Sequence, residues 1–144
     1  MKYWLLVGLA ALLWGCGQSD DPTGSDFSQS GIAADAPLDI TITQFPKSYF
    51  GRWGVSPSDC AMGESGGSGL ISVQGSLVKF AESIATMRDG KRESLTSMSA
   101  YFDVVGEGRE WETHTRYRLS KDRQKLTRQD FGSNEKQVYQ RCRT

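Results

Sequence analysis

The chain has 144 residues, with 17 Lys or Arg balanced by 17 Asp or Glu. That length leaves room for one domain and its tether. The balance excludes a uniformly polybasic or polyacidic protein, but the charges are unevenly spread: residues 109–144 hold ten Lys or Arg against five acids.

Lys2 supplies a small positive start, and Trp4 to Leu13 is an unbroken apolar run. Ten helical residues rise only about 15 Å, half the thickness of a bilayer core, so this run cannot span one. A short apolar run behind a basic start is a secretory signal, expected over residues 1–15. Leu13-Trp14-Gly15-Cys16 resembles the bacterial lipobox, with Trp14 where a small residue is usual. The resemblance implies cleavage before Cys16, a thioether diacylglycerol on its sulfur, and acyl chains such as palmitate. Two or three such chains hold a protein firmly to a bilayer. Gly17 after the cysteine is similar to the outer-membrane sorting class, so the expected address is the periplasmic face of the outer membrane.

Residues 16–45 then read as an acidic flexible linker: 17–45 hold Asp20, Asp21, Asp26, Asp35 and Asp39 and no Lys or Arg. Small polar residues dominate 17–36, which is linker composition. Leu38, Ile40 and Ile42 alternate with Asp39, Thr41 and Thr43 as a short strand near its end. The folded domain is expected over 46–144.

Pro46 opens a helical turn before Gly51, and beyond it the hydrophobic period is two. Trp53 and Val55 end a first strand, and Leu70 to Val73 follows the loop GESGGSG (63–69). Leu77 to Met87 reads as one long strand, with Asp89-Gly90 as a hairpin turn. Leu95 to Val105 is next. In the clearest strand, Trp111, Thr113, Thr115, Tyr117 and Leu119 alternate with Glu110, Glu112, His114, Arg116 and Arg118. Lys125–Phe131 and Gln137–Cys142 complete the pattern. Seven or eight strands on short polar turns, without a convincing helix, predict an all-β fold. An antiparallel up-and-down β-barrel is favoured over a sandwich because closure removes edges.

Once Cys16 carries lipid, Cys60 and Cys142 remain in an oxidising compartment, and one structural disulfide is expected. A loop of about 83 residues closed this way is worth about 4–5 kcal/mol in chain entropy. With no C-x-x-C neighbour, a redox role is not expected.

Gly51-Arg52-Trp53 after a helical turn resembles the G-x-W signature of lipocalins and their calycin relatives. That resemblance implies a Trp53 that plugs the barrel floor beneath a basic residue of the last strand, for which Arg141 is the match. FGRWGVSPSDC, FAES and YQRC are also similar to small lipoproteins of Gram-negative bacteria, over about residues 46–143, a likeness that implies no activity. A weaker likeness is to periplasmic barrel inhibitors of proteases.

Among polar residues, Glu82 shares a predicted strand face with Val78, Phe80 and Ile84. It is expected to point inward and pair with Arg52 or Arg141, because an isolated buried carboxylate is very costly. His114 lies on a polar face and reads as a solvated surface residue. Trp53, Phe80, Tyr101, Phe102 and Trp111 are expected to line a ligand cavity or to fill the core. No catalytic constellation, metal site or cofactor motif stands out. The expected function is a non-enzymatic binding module for a small apolar or amphipathic molecule. The alternative is an envelope interaction protein, inhibitor-like or an assembly factor, docking through its basic strands. Nucleic acid is not an expected partner of an exported chain.

Overall fold

The computed structural model describes residues 33–61 and 67–143. The signal segment and Cys16 lie outside the described residues.

Among the described residues, the period-two pattern folds into nine strands: β1 Ile40–Ile42, β2 Gly51–Gly54, β3 Leu70–Gln74, β4 Leu77–Lys79, β5 Ser83–Arg92, β6 Ser97–Gly106, β7 Arg109–Leu119, β8 Lys125–Asp130 and β9 Gln137–Arg141. A 3-10 turn, Lys47–Tyr49, precedes β2, and a five-residue helix, α1 Pro57–Ala61, follows it. Strands β2 to β9 pair each with the next, and β9 returns to β2 through Trp53↔Arg141 and Gly54↔Gln140. The result is a closed, antiparallel, up-and-down barrel of eight strands. β1 is the extra strand; it takes the edge of β5 at Gly90–Arg92, while β4 takes the same edge at Ile84–Thr86.

The seam between β9 and β2 is stapled by the Cys60–Cys142 disulfide, whose Cα atoms are 5.3 Å apart. Cys142 also donates its backbone N–H to the Arg52 carbonyl, so the covalent link lies beside a ladder bond.

Three expectations are corrected here. The linker drawn over 16–45 ends earlier: β1 pairs with β5, and Phe45 is a buried member of the core. Leu77 to Met87 is two strands, because the chain turns at Phe80–Glu82 and Phe80 N–H bonds to the Ser83 carbonyl. Asp89-Gly90 is not a hairpin turn; it lies inside β5, beside a bulge between Met87 and Asp89. Glycine is needed there for close approach, since a Cβ at position 90 would stand 2.9 Å from Ile42 Cγ1 and 3.0 Å from Met87 Sδ. A β-bulge next to such a residue lets a long strand bend around a barrel.

The lower half of the barrel is filled. Phe45 packs against Tyr49, Phe102 and Tyr117, with ring centroids 6.0, 5.9 and 5.3 Å away. Met98, Leu119, Leu126, Ile71, Val73 and Val78 belong to the same cluster. Such a core follows from size, because eight strands enclose a bore barely wider than side chains.

Candidate ligand-binding site

The closed end is built around Trp53. Gly51 has a φ of +126°, in the region that favours glycine, and lets the chain turn from the 3-10 segment into β2 against the Arg141 guanidinium. Trp53 is fully buried and donates Nε1–H to the Tyr49 carbonyl at 2.9 Å. The Arg141 guanidinium lies 4.0 Å from the Trp53 ring centroid. It donates Nη2 to the Ser48 carbonyl, Nη1 to the Phe50 carbonyl and Nε to the Arg123 carbonyl, at 2.7, 2.8 and 2.9 Å. One cation thus ties the entry turn, the β7–β8 turn and the last strand together. Burial first, and then Arg123, lowers the Arg141 pKa from its ordinary value. This end is a plug and offers no access.

The opposite end is open. β6 and β7 run past the last residues of β8 and the first of β9 and form a tall lip, beside which the Phe80–Glu82 turn enters β5 next to Gly106, while the turn at Phe131–Lys136 forms a low one. Inside the rim is a cup of about 400 Å³. Its apolar wall is Phe80, Ala85, Phe102, Val104 and Trp111. Its polar wall is Thr113, Thr115, Tyr117 and Arg128, with Ser68 from the β2–β3 loop at the rim.

The polar wall forms a connected chain. Arg128 Nη2 contacts both Asp130 carboxylate oxygens, at 3.0 and 2.9 Å. Thr115 Oγ1 donates to Asp130 Oδ1 at 2.6 Å. The Thr113 and Thr115 hydroxyls are 3.3 Å apart. An ionised carboxylate only accepts, so the single Thr115 hydrogen goes to Asp130 and Thr113 donates to Thr115. The Phe80 ring centroid lies 5.2 Å from the guanidinium carbon. Arg128 Nε is buried and has no hydrogen-bond partner. Burial opposes the Arg128 charge, but Tyr117, Asp130 and Tyr139 more than offset it, so its pKa stands above the ordinary arginine value. Burial pushes the Tyr117 hydroxyl well above the usual tyrosine range, so it stays protonated at neutral pH.

Four of the expected residues meet at this mouth, Phe80, Glu82, Phe102 and Trp111, which line the cup, while Trp53 lies buried at the closed end. Their roles differ from expectation. Glu82 is exposed in the β4–β5 turn, because the turn at Phe80–Glu82 breaks the strand alternation that would have placed it inside. Its expected partner Arg141 is committed to backbone carbonyls at the closed end. Arg52 lies on the outer side, beside Ser72 and Lys79. Trp111 keeps the inner face but is 44 % exposed, since the lip carries it above the packed interior. Tyr101 is turned outward, 45 % exposed. It stacks on His114, which stacks in turn on Phe131, at centroid distances of 4.1 and 3.7 Å. His114 is therefore a half-buried ring in an aromatic row rather than a freely solvated one. Burial in that row, and then Arg116, lower its pKa.

Arg128 and Asp130 were not singled out from the sequence. Leu126, Arg128 and Asp130 share one parity of β8, and Leu126 is fully buried, so the alternation carried the signal.

No protein-family model, curated protein or solved structure matches this chain.

Proposed function

We propose that the chain is an exported lipoprotein held by lipid on Cys16 to the periplasmic face of the outer membrane. Its barrel is a non-enzymatic module that binds a small apolar or amphipathic molecule in the open mouth. The observation that carries the reading is the half-filled barrel: packed below, it opens above into a 400 Å³ cup lined by both apolar and polar side chains. Ligand sites are concave, largely apolar and fitted with a few placed polar groups, with volumes of about 300–1,000 Å³. The Arg141 guanidinium over the buried Trp53 supports a lipocalin-like plan, with plug and mouth at opposite ends. Docking through basic strands has less support, because several of those cations are already engaged. Arg128 and Arg141 are used inside the barrel, Arg116 pairs with Glu93, and Arg109 pairs with Glu107.

The test is native mass spectrometry of the purified protein. The expected spectrum carries a retained small molecule that is lost in Trp111→Ala, while urea melts of the two proteins agree. A bare mass for the wild type, together with no uptake of added medium-chain amphipaths, would refute the reading.

A further inference from the structure

The charges around the cup discriminate between head groups. Among the described residues, two charged side chains line it: Arg128 from β8, and Glu82 from the β4–β5 turn. Behind Arg128 stands Asp130, which engages Nη2 through both oxygens. Ser68, Ser83, Thr113, Thr115 and Tyr117, the other polar groups on the lining, are neutral. The cation on this lining is already matched by Asp130, and the other charge on it, Glu82, is negative. An incoming carboxylate would exchange water for two carboxylates and a neutralised arginine. Removing an anion from water without a partner cation is among the costliest steps in binding.

One hydrogen-bonding position remains open on the polar wall. Thr113 Oγ1, having given its hydrogen to Thr115, keeps lone pairs to accept with. A ligand hydroxyl can donate to it, whereas a carboxylate only accepts and cannot. The apolar part of the lining, Phe80, Ala85, Phe102, Val104 and Trp111, takes an apolar chain. At about 30 Å³ per water-sized group, a 400 Å³ cup holds about a dozen such groups.

Resting on the binding reading above, we infer that the cup selects a neutral amphipath: a medium-length apolar chain with a hydroxyl head, as in an alcohol or a monoacylated polyol, and not a fatty-acid anion.

The probes are 1-decanol and decanoate at pH 7.5, titrated into the full-length chain carrying Cys16→Ser and followed by Trp fluorescence. Decanol is expected to bind at least tenfold more tightly than decanoate. Thr113→Val should weaken decanol about fivefold and leave decanoate unchanged. Asp130→Asn, which frees the guanidinium, should raise decanoate affinity at least tenfold. Equal or tighter wild-type binding of decanoate overturns the head-group inference and leaves the binding module standing. Binding of neither probe overturns both. The wild-type comparison decides the matter even if Asp130→Asn fails to fold.

Discussion

Replacing Arg141 with methionine tests the closed end of the barrel. The guanidinium donates to three carbonyls at 2.7–2.9 Å, from Ser48, Phe50 and Arg123. The bond to Arg123 is exposed, so water replaces it at little cost. The two part-buried bonds come from a charged donor, each worth about 1.5–3 kcal/mol. Methionine keeps an apolar contact with the Trp53 ring but loses the cation–π attraction, about 0.5–1 kcal/mol. Against this stands the cost of partly burying a charge, the same cost that lowers the Arg141 pKa, and substitution recovers it. The net loss is expected at about 2–4 kcal/mol, a large part of a total stability of about 5–15 kcal/mol. Arg141→Lys should lose about half of that, since one ammonium cannot reach three carbonyls that diverge from a planar fork. Equilibrium urea unfolding with the disulfide intact, followed by Trp fluorescence, measures both. An Arg141→Met midpoint corresponding to less than about 0.5 kcal/mol, as at an ordinary surface position, would refute the reasoning.

Removing both Cys60 and Cys142 as alanines frees a link across 82 residues of sequence. The chain-entropy cost is about 4.5 kcal/mol at 25 °C, so urea melts should shift by about 2–4.5 kcal/mol; a shift below 1 kcal/mol would contradict it. Glu82→Ala should leave stability within about 0.5 kcal/mol, because the side chain is exposed in a turn; a loss of several kcal/mol would mean that it is buried after all. His114 should titrate below its ordinary 6.5 in NMR, because burial and Arg116 disfavour its cation. Between the folded and unfolded pKa values the unfolded chain binds more protons, so stability should fall as pH drops from 6.5 through the folded value. His114→Phe should flatten that part of the stability profile, and an unchanged slope would assign it to other groups.

The sequence by itself determined the fold class, because strand alternation is local and shows without tertiary contacts. Trp111 to Leu119 displays both faces of β7, and the observed pairing follows that parity throughout. It likewise pointed to the Cys60–Cys142 pair, since lipid expected on Cys16 leaves two thiols and a single partnership. The tertiary structure alone decided where strands break and which inward positions lie above the core. Phe80–Glu82 carries no Gly or Pro to mark a turn, so apolar residues on both sides read as one strand and Glu82 was placed inside. Asp89-Gly90 has turn composition, yet the glycine serves the close crossing of Ile42 over β5. Trp111 and Tyr117 share a face of one strand, but one is 44 % exposed and the other 1 %. That difference arises because β6 and β7 outrun β8 and β9 at the mouth, and strand lengths around a closed barrel are set by their partners. For the same reason Arg128 and Asp130 read as ordinary members of a basic stretch, until closure of β8 between β7 and β9 turned them toward the mouth.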